Sequence, residues 1–479
     1  MEPAAPAYSV RPFPRRYPGE LLRVFARNMV EGMGRLDRVG GDAVGARLGP
    51  ARVTLLRHPD LLRALLTEHD ASFSKARGLR MAKHLLGDGL LTSEPPFHTR
   101  QRRLILPAFH HQRLRGYADD MVAESAAEAT RWVPGAPFDA ARAMNRLALS
   151  IAGRTLFGAD VAADTDRIGR AMAESMGLFD RAMSNPLGEL LARLPTPSRR
   201  RLDRARETLD ATVYGLIRDR RASGEDRPDL LGMLLDAHDE DGSVMTDRQV
   251  RDEAMTLLLA GHETTANALA WTWALLAEHP EVEARLHAEL DGVLNGRPPA
   301  FEDVPRLAYT RQVFAESMRL YPPAWVVARQ AREDVDLGGG VRFPRGGVAF
   351  FAPLFIHRDE RFWDAPDEFR PERFAADVKR ERHKFAYLPF SAGRRGCIGE
   401  QFAWMEGVLV LATLAQRWRL RLTAPVPAPH GSITLRPAGP LLMRAEPRVP
   451  AELSTPGGGD TGSSHPVADL ASAPATALR

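Results

Sequence analysis

The chain has 479 residues, of which 44% are hydrophobic and 26% charged, a composition typical of a soluble globular protein. Its 65 Lys and Arg residues nearly balance its 61 Asp and Glu residues, so the net charge of +4 does not indicate a nucleic-acid-binding protein. A single cysteine excludes an intramolecular disulfide bond, and no apolar stretch has the length of a signal peptide or a membrane span. We therefore expect a cytoplasmic protein without a membrane anchor.

The first part of the chain indicates an arm followed by a hairpin. Residues 1–20 are rich in Pro and Arg and are predicted to form an irregular arm. Two short apolar runs within 44–56, on either side of Gly49-Pro50, indicate a β-hairpin. Asp60 is then expected to cap the helix that follows it.

Helical periodicity dominates the middle of the chain. From about residue 110 to 290, apolar residues recur three and four positions apart. Thr246 and Gln249 have the spacing of a capping box at the start of a long apolar helix. Pro280 is expected to end that helix.

Another helix is predicted from about 303 to 320, because Pro322-Pro323 stops it. Strand-like residues follow at 348–355, and a last long helix begins after the only cysteine, Cys397. Residues 446–479 lack aromatic side chains and are mostly small or turn-forming, so we expect a disordered tail.

The cysteine lies in FSAGRRGCIG, residues 390–399, among three glycines and after two arginines. It could be a small buried hydrophobe, a catalytic nucleophile, a zinc ligand or an axial thiolate ligand of haem iron. Zinc is disfavoured because no second cysteine and no CxxC or HExxH pattern occurs. A buried structural cysteine explains neither the glycines nor the arginines. The loop alone leaves the nucleophile and the haem ligand open.

The wider sequence resembles a known family. The stretch Phe390-x-x-Gly393-x-Arg395-x-Cys397-x-Gly399 resembles the cysteine-ligand signature of the cytochrome P450 haem-thiolate monooxygenases at every defining position. The resemblance extends over about residues 20–445, with the other family motifs in the expected order. It implies haem b as the cofactor, with Cys397 as its axial thiolate ligand and Phe390 as a haem contact.

The same resemblance sets the expected fold. It implies a mainly α, α+β fold in which a helix-rich body with small β-sheets surrounds a buried haem. Residues 21–445 are then one catalytic domain, between the arm and the tail.

The second motif is AGHETT, residues 260–265, within the long apolar helix. Glu263 and Thr264 could be an ordinary helix face, because a Thr hydroxyl can bond the carbonyl four residues back. Ala260 and Thr264 are four residues apart and share a face. The resemblance implies that this face, with Ala260, lies over the haem iron, that Thr264 hydrogen-bonds the oxygen being activated, and that Glu263 relays protons to it.

The third motif is Glu316-x-x-Arg319, which by itself indicates no more than a surface ion pair. The resemblance implies a buried element that Arg373, within FRPERF, completes. We expect these three residues to maintain the fold and the haem pocket rather than to take part in the chemistry.

The fourth motif lies in FHTRQRR, where His98 and Arg102 are four residues apart. They could be a solvated basic helix start. By the resemblance, His98 and Arg102 bind the haem propionates, together with Arg329 and Arg395. Since several cations share the propionates, the loss of any one is expected to have a partial effect.

The family's activity is insertion of one atom of O₂ into an organic substrate by hydroxylation or epoxidation. The resemblance implies that the pocket is lined by the loop before His98, the region around 170–190, the helix face at Ala260, residues 324–327 and the turn near 438–440, and these segments are mostly apolar. A lipophilic substrate such as a terpenoid, fatty acid or macrolide is therefore expected. The alternatives are a peroxygenase, an oxygen-independent haem isomerase, a haem-binding sensor and a cysteine hydrolase.

Electrons are expected from a separate ferredoxin or flavodoxin-type protein, because the chain has no Cys cluster for an iron–sulfur centre and no room for a flavin domain. A basic run at residues 379–384, with Arg394 in the cysteine loop, is either a solvated surface or a docking site for an acidic partner. We expect a monomer that binds no nucleic acid.

Overall fold

The computed structural model describes residues 8–158, 165–184, 194, 196–224, 227, 229–238, 242, 244–379 and 382–448. The predicted tail from residue 449 onward lies outside these residues, as do residues 1–7 of the arm, residues 185–190 of one pocket segment, and Arg380. No helix among the described residues is long and apolar enough to cross a membrane.

Helices form most of the protein, 57% of which is helical, so the prediction of a mainly α fold with small sheets is confirmed. The helices are α1 (Glu20–Arg27), α2 (Met29–Asp37), α3 (Pro59–Arg63), α4 (Arg77–Leu86), α5 (Phe97–Ile105), α6 (His111–Ala129), α7 (Ala140–Phe157), α8 (Thr165–Ser184), α9 (Pro197–Ser223), α10 (Leu230–Asp236), α11 (Asp247–Glu278), α12 (Pro280–Leu294), α13 (Ala308–Leu320), α14 (Pro353–Ile356), α15 (Ala376–Lys379) and α16 (Glu400–Ala415).

The larger sheet has the strand order β1-β2-β3-β9-β6-β4, and a second has the order β10-β13-β5, while β11 pairs with β12 and β7 with β8. The strands are β1 (Val10–Pro12), β2 (Ala43–Leu48), β3 (Ala51–Leu56), β4 (Phe73–Lys75), β5 (Pro137–Asp139), β6 (Val327–Ala331), β7 (Val335–Asp336), β8 (Arg342–Phe343), β9 (Val348–Phe351), β10 (Trp418–Leu422), β11 (Pro429–Gly431), β12 (Leu435–Pro437) and β13 (Leu442–Pro447).

The long helix α11 is the centre of the molecule. It packs against α7, α9, α13 and α16. The predicted capping box is present, since the Gln249 N–H donates to Thr246 Oγ1 and the Thr246 N–H donates to Gln249 Oε1. The helix ends at Glu278, and Pro280 starts α12 because its missing N–H is not needed there.

The predicted hairpin is confirmed by β2 and β3, which pair antiparallel from Ala43↔Leu56 to Leu48↔Ala51. Two other expectations are wrong in detail. The side chain that caps α3 is His58, which accepts from the Asp60 N–H, so Asp60 is not the cap. The run at 348–355 is a strand only to Phe351, because Pro353 then starts the short helix α14. Within the predicted irregular arm, residues 10–12 form β1, which pairs parallel with β2.

Candidate active site

Helix α11 carries an opening in an otherwise buried surface. Between Val250 and Leu276, Ala260, Gly261 and Thr264 are the residues that are not buried. The three lie within about one helical turn and therefore face one side. An accessible turn within an otherwise buried stretch of helix indicates a functional site. The polar side-chain group at this turn is the Thr264 hydroxyl.

The acid of the same motif is buried beside this opening. Glu263 is 8% exposed, and its Oε1 accepts a hydrogen bond of 2.7 Å from Thr434 Oγ1. The Thr264 hydroxyl donates to the Ala260 carbonyl at 2.7 Å. The structure thus brings together a carboxyl group and a hydroxyl group on consecutive residues, one buried and one at the opening.

The cysteine loop is held in a narrow backbone path. The Cys397 N–H donates to the Phe390 carbonyl at 3.0 Å. Gly393 has φ +73°, and a Cβ there would lie 2.0 Å from the Leu66 carbonyl oxygen, so a larger residue does not fit. The glycines therefore let the loop pass close to a neighbouring segment, which explains them better than a buried structural cysteine does.

The Cys397 side chain is accessible, yet burial raises the pKa of its thiol to about 11. Both observations hold for a sulfur that lies deep in the protein and faces an internal opening. The Gly399 N–H hydrogen-bonds the sulfur, and together with the Arg102 guanidinium it acts in the opposite direction and favours the thiolate. A metal cation at the sulfur would favour the thiolate far more strongly.

A group of buried or half-buried basic residues, here called the cation cluster, consists of Lys75, His98, Arg102, Arg329 and Arg395. Lys75 on β4 lies directly opposite Arg329 on β6 in the sheet register. Like charges opposite each other on adjacent strands destabilise a sheet unless an anion lies near them. Burial lowers the pKa of Lys75 to about 7 and that of Arg329 to about 10, and each nearby cation adds to the effect.

The other members of the cation cluster come from α5 and the cysteine loop. His98 is 4% exposed, and burial, followed by the charges of Lys75, Arg395 and Arg102, lowers its pKa to about 4. Arg102 donates to the Gly396 carbonyl at 2.8 Å, which fastens α5 to the cysteine loop. Arg395 donates to the Phe73 carbonyl at 2.8 Å and to Glu94 at 3.2 Å.

The cation cluster keeps donors unused. Among the described residues, Arg329 Nε and Arg395 Nε and Nη1 are buried without a hydrogen-bond partner. The cations of the cluster also outnumber its carboxylates, Asp70 and Glu94. Buried charged donors without acceptors are unfavourable, so the cluster is suited to an anionic ligand that enters from outside the chain. The two propionates of haem would fit this need, and Cys397 would be available as a ligand for the iron of the same group.

Glu316, Arg319 and Arg373, here called the Glu316 cluster, form a buried network rather than a surface pair. Arg319 Nε and Nη2 donate to the two Glu316 oxygens at 2.7 and 2.8 Å, and both side chains are 0% exposed. Arg373 Nε donates to Glu316 at 3.2 Å. The remaining Arg319 donors bond the carbonyls of His357, Pro366 and Glu368.

The described residues of the basic run 379–384 have different environments, since Arg382 is packed against aromatic rings whereas Lys384 is exposed. The Arg382 guanidinium lies 4.3 Å from the ring centre of Trp363 and 4.5 Å from that of Phe374, and it donates to the Arg373 carbonyl. Arg382 is therefore an extension of the Glu316 cluster and not a free surface charge. Lys384 and Arg394 are exposed, and His383 contacts Asp60 at 3.2 Å.

The expected pocket segments differ in how far they are buried. Trp325 is 0% exposed and packs in a core with α1 and α2, so it does not face an opening, whereas Ala324 and Val326 are half-buried. Residues 438–440 are exposed. In the neighbouring hairpin formed by β11 and β12, Ser432, Thr434 and Leu435 are buried, and Thr434 contacts Asn267 on α11.

Two residues of the site escape sequence reasoning. Lys75 donates through Nζ to the carbonyls of Leu90 and Ser93 at 2.8 and 2.7 Å, which fixes the loop before α5. A lone lysine in a short strand gives no signal of burial. Thr434 bonds Glu263 across 171 positions of sequence, and no local pattern reports such a contact.

Comparison with known proteins agrees with this geometry. The profile of the family described as Cytochrome P450 matches residues 11–444. Cyclooctatin synthase of Streptomyces melanosporofaciens is 42% identical over 85% of this chain and 89% of its own length, and cyclooctat-9-en-7-ol 5-monooxygenase of the same organism gives the same three values. Pentalenene oxygenase of Streptomyces avermitilis is 38% identical over 79% of this chain and 84% of its own length. The chain therefore belongs to the cytochrome P450 family.

Proposed function

We propose that this P450 oxygenates a cyclic terpenoid, with haem b as cofactor and electrons from a separate ferredoxin-type protein. Two relatives have names that refer to terpenoid compounds, cyclooctat-9-en-7-ol and pentalenene. An apolar, ring-containing substrate suits the opening on α11, where Ala260 and Gly261 offer no side chain to bond a polar group.

The observation that carries the proposal is the accessible turn of α11 within its buried stretch from Val250 to Leu276, with the Thr264 hydroxyl on it and the Glu263 carboxyl group beside it. Haem iron with a thiolate ligand supplies activation of O₂ when the cofactor is bound. Reduction of one oxygen atom to water consumes protons that must be delivered inside a dry pocket. Glu263 is placed to hold such a proton, and Thr264 to pass it to the opening by hydrogen bonding.

The other proposed roles concern binding. Cys397 would hold the iron, and Ala260 and Phe390 would contact the haem. His98, Arg102, Arg329 and Arg395 bind its propionates, because they provide unused donors and excess positive charge at one place. Lys75 adds charge to the same place and holds the loop before α5.

The Glu316 cluster has no proposed chemical role. All five Arg319 donors bond Glu316 or backbone carbonyls, and Arg373 donates to Glu316 and to the carbonyls of Asp364 and Ala365. We assign it to the stability of the segment that leads to the cysteine loop.

A reducing compartment such as the cytoplasm agrees with a sole cysteine that must remain a free thiol to bind iron. We keep a monomer as the expected state. A ferredoxin or flavodoxin approaches the exposed cations Lys384 and Arg394, since a negatively charged partner is attracted to them.

The first test concerns the iron ligand. Reduced wild-type protein under carbon monoxide is expected to show the strongly red-shifted Soret band of a thiolate-ligated haem. Cys397→His is expected to move the band to the position seen in globins or to abolish haem binding. An unchanged band would remove Cys397 from the coordination sphere.

The second test concerns the substrate class. Cyclooctat-9-en-7-ol and pentalenene are titrated into the haem protein beside lauric acid and a macrolide, and the Soret shift is recorded. The two terpenoids are expected to bind more tightly than the other compounds. Tighter binding of lauric acid or the macrolide would contradict the terpenoid assignment while leaving the monooxygenase activity intact.

The third test concerns proton delivery. Thr264→Ala is expected to retain haem and substrate binding but to divert reducing equivalents into peroxide. The measurement is peroxide formed per NADPH oxidised with an added ferredoxin and ferredoxin reductase. If the variant forms no more peroxide than the wild type, Thr264 does not pass protons here.

A further inference from the structure

The hairpin formed by β11 and β12 reaches α11 at the residue proposed to deliver protons. Thr434, at the tip of the hairpin, donates from Oγ1 to Glu263 Oε1 at 2.7 Å. Asn267 Nδ2 donates to the same Thr434 oxygen at 3.2 Å. All three side chains are buried, with exposed fractions of 8% or less.

The chemistry of a hydroxyl group fixes the direction of this network. A threonine hydroxyl has one hydrogen to donate and lone pairs to accept. Because the Asn267 amide nitrogen can only donate, it occupies a lone pair of Thr434 and leaves the hydroxyl hydrogen for the Glu263 carboxylate. Asn267 and Glu263 are four residues apart on α11, so both reach the hairpin from the same face.

The hairpin tip is itself fixed on both sides of Thr434. Trp325 Nε1 donates to the Ser432 carbonyl at 3.0 Å, and Trp271 Nε1 donates to the Leu435 carbonyl at 3.2 Å. The Leu435 N–H donates to the Pro323 carbonyl at 2.9 Å. The position of the Thr434 hydroxyl is therefore set by two buried tryptophans, not by the flexibility of a surface turn.

The Thr264 hydroxyl, by contrast, is bonded within its own helix. Thr264 donates back to the Ala260 carbonyl of the same helix. A carboxylate on a flexible two-carbon stem needs an external partner to keep one orientation, and the hairpin provides that partner.

We propose that Thr434 is a positioning residue for the proton-delivery step: its hydroxyl, oriented by Asn267, holds the Glu263 carboxylate in the orientation from which it serves Thr264. This rests on the proposed monooxygenase function and extends it to a hairpin 171 residues away in sequence. Thr434 does not itself touch the haem or the oxygen. It acts through Glu263.

The test compares variants of the haem-containing enzyme with an added ferredoxin, ferredoxin reductase and NADPH. Thr434→Val removes the hydroxyl at constant shape, and Thr434→Ser keeps it. The readout is peroxide formed per NADPH oxidised, with cyclooctat-9-en-7-ol as probe and also without any probe, so that the result does not depend on the substrate class.

In Thr434→Val, the fraction of electrons from NADPH that do not end in peroxide is expected to fall by about tenfold. The reason is that a misplaced proton donor loses most of its effect. Thr434→Ser is expected to restore it to within about twofold of wild type, since it keeps the same donor. Combining Thr434→Val with Glu263→Gln is expected to be no worse than Glu263→Gln alone, because both act through one carboxylate.

Thr272→Val is the matched control. Thr272 is buried on the same helix, but its hydroxyl donates at 2.7 Å to the Ala268 carbonyl of that helix. This variant is expected to leave peroxide formation unchanged. Asn267→Leu removes the donor on the other side of Thr434 and is expected to act in the same direction as Thr434→Val, which keeps the proposal testable if one variant binds haem poorly.

The outcomes separate this proposal from the proposed function. Suppose that Thr434→Val forms as much peroxide as the wild type while Glu263→Gln forms more. That result overturns the positioning role of Thr434 and leaves the proposed function standing. Additive effects of the two substitutions also overturn it. An unchanged yield in Glu263→Gln itself contradicts the role assigned to that acid, and with it the positioning of the acid by Thr434.

Discussion

The Glu316 cluster and the cation cluster are both buried groups of charge, but they differ in how many of their donors are used. Arg319 has five N–H donors and five acceptors within hydrogen-bond distance, two from Glu316 and three from backbone carbonyls. The side chains of Arg329 and Arg395 are also buried, yet three of their nitrogen atoms have no hydrogen-bond partner among the described residues. A complete network serves the fold, whereas an incomplete one is prepared for a ligand.

Because of this difference, mutations in the two clusters are expected to change the free energy of unfolding of the haem-free protein in opposite directions. Removing a member of the complete network leaves a buried charge without its partner. Removing a member of the incomplete network, such as Arg329, takes away a buried cation whose donors are only partly used. Stability and cofactor binding should therefore respond separately in the two clusters.

The largest expected effect is that of Glu316→Leu. The substitution leaves the Arg319 and Arg373 guanidinium groups buried without a carboxylate, which lowers the free energy of unfolding by about 3–5 kcal/mol. The measurement is urea unfolding of the haem-free protein. Glu302→Leu, at an exposed ion pair with Arg115, is the control and is expected to change stability by less than about 1 kcal/mol. Equal effects of the two substitutions would contradict the structural role.

The next effect is that of Arg329→Met, which is expected to leave the stability of the haem-free protein unchanged or to raise it. Haem binding is expected to weaken by about 10–100-fold, because a hydrogen bond to a charged group contributes about 1.5–3 kcal/mol. The measurement is the rate of haem transfer to an apoglobin that captures it. Arg345→Met, at an exposed position in the turn between β8 and β9, is expected to have no effect. Haem retention as in wild type would show that Arg329 does not bind a propionate.

A smaller effect is expected on the stability of the haem-free protein at acidic pH, and it depends on His98. Its pKa of about 4 in the folded protein lies below the value of about 6.5 in an unfolded chain. Between these two pH values the unfolded state binds a proton that the folded state does not, so the stability of the haem-free protein falls as the pH falls through this range. His98→Gln should lose less stability over the same range, as measured by melting temperature.

Haem propionates bound beside His98, as proposed, would supply negative charge and therefore raise its pKa. Haem binding between pH 4 and 6.5 is then accompanied by more proton uptake in the wild type than in His98→Gln. Titration calorimetry in two buffers of different ionisation enthalpy measures that difference. Equal proton uptake by the two proteins would place the propionates away from His98.

The smallest effect concerns the exposed cations near the two clusters. Lys384→Glu combined with Arg394→Glu is expected to slow reduction by a ferredoxin by about two- to tenfold at low ionic strength, with the difference vanishing as salt rises. Arg248→Glu, at an exposed arginine on α11, is the control. Reduction as fast as in wild type would exclude these two cations as the docking site.

Arg382, although it belongs to the same basic run, is expected to behave like a member of the Glu316 cluster. Its guanidinium packs on Trp363 and Phe374, and burial lowers its pKa. Arg382→Glu should therefore reduce protein stability, and a slower reduction rate in that variant would say nothing about docking.

Sequence reasoning was most successful where the signal is local. The capping box at Thr246, the hairpin at Gly49-Pro50 and the end of α13 before Pro322 each depend on a few adjacent residues, and each is present. The spacing of Ala260 and Thr264 likewise predicts one helix face, and that face is the accessible one.

The sequence was least informative where distant segments meet. A run of charges at 379–384 has the pattern of a solvated surface, and the aromatic rings that cover Arg382 come partly from Trp363, which local spacing does not connect to it. The partner of Glu263 is 171 residues away, and the strand partner of Lys75 is Arg329. Such contacts are fixed by packing of the whole chain, so no window of sequence contains them.

The accessible turn of α11 also limits which part of a substrate can react. Ala260 and Thr264 are separated by four residues, or about 6 Å along the helix axis. A rigid multi-ring molecule is wider than this and can present only one edge to it. The residues of α11 before and after the accessible turn are closely packed and cannot receive the substrate. The length of the accessible turn then largely determines which carbon is oxidised, and on which of its two faces. Regiochemistry and stereochemistry would in that case change most sharply with side-chain volume at the borders of the accessible turn.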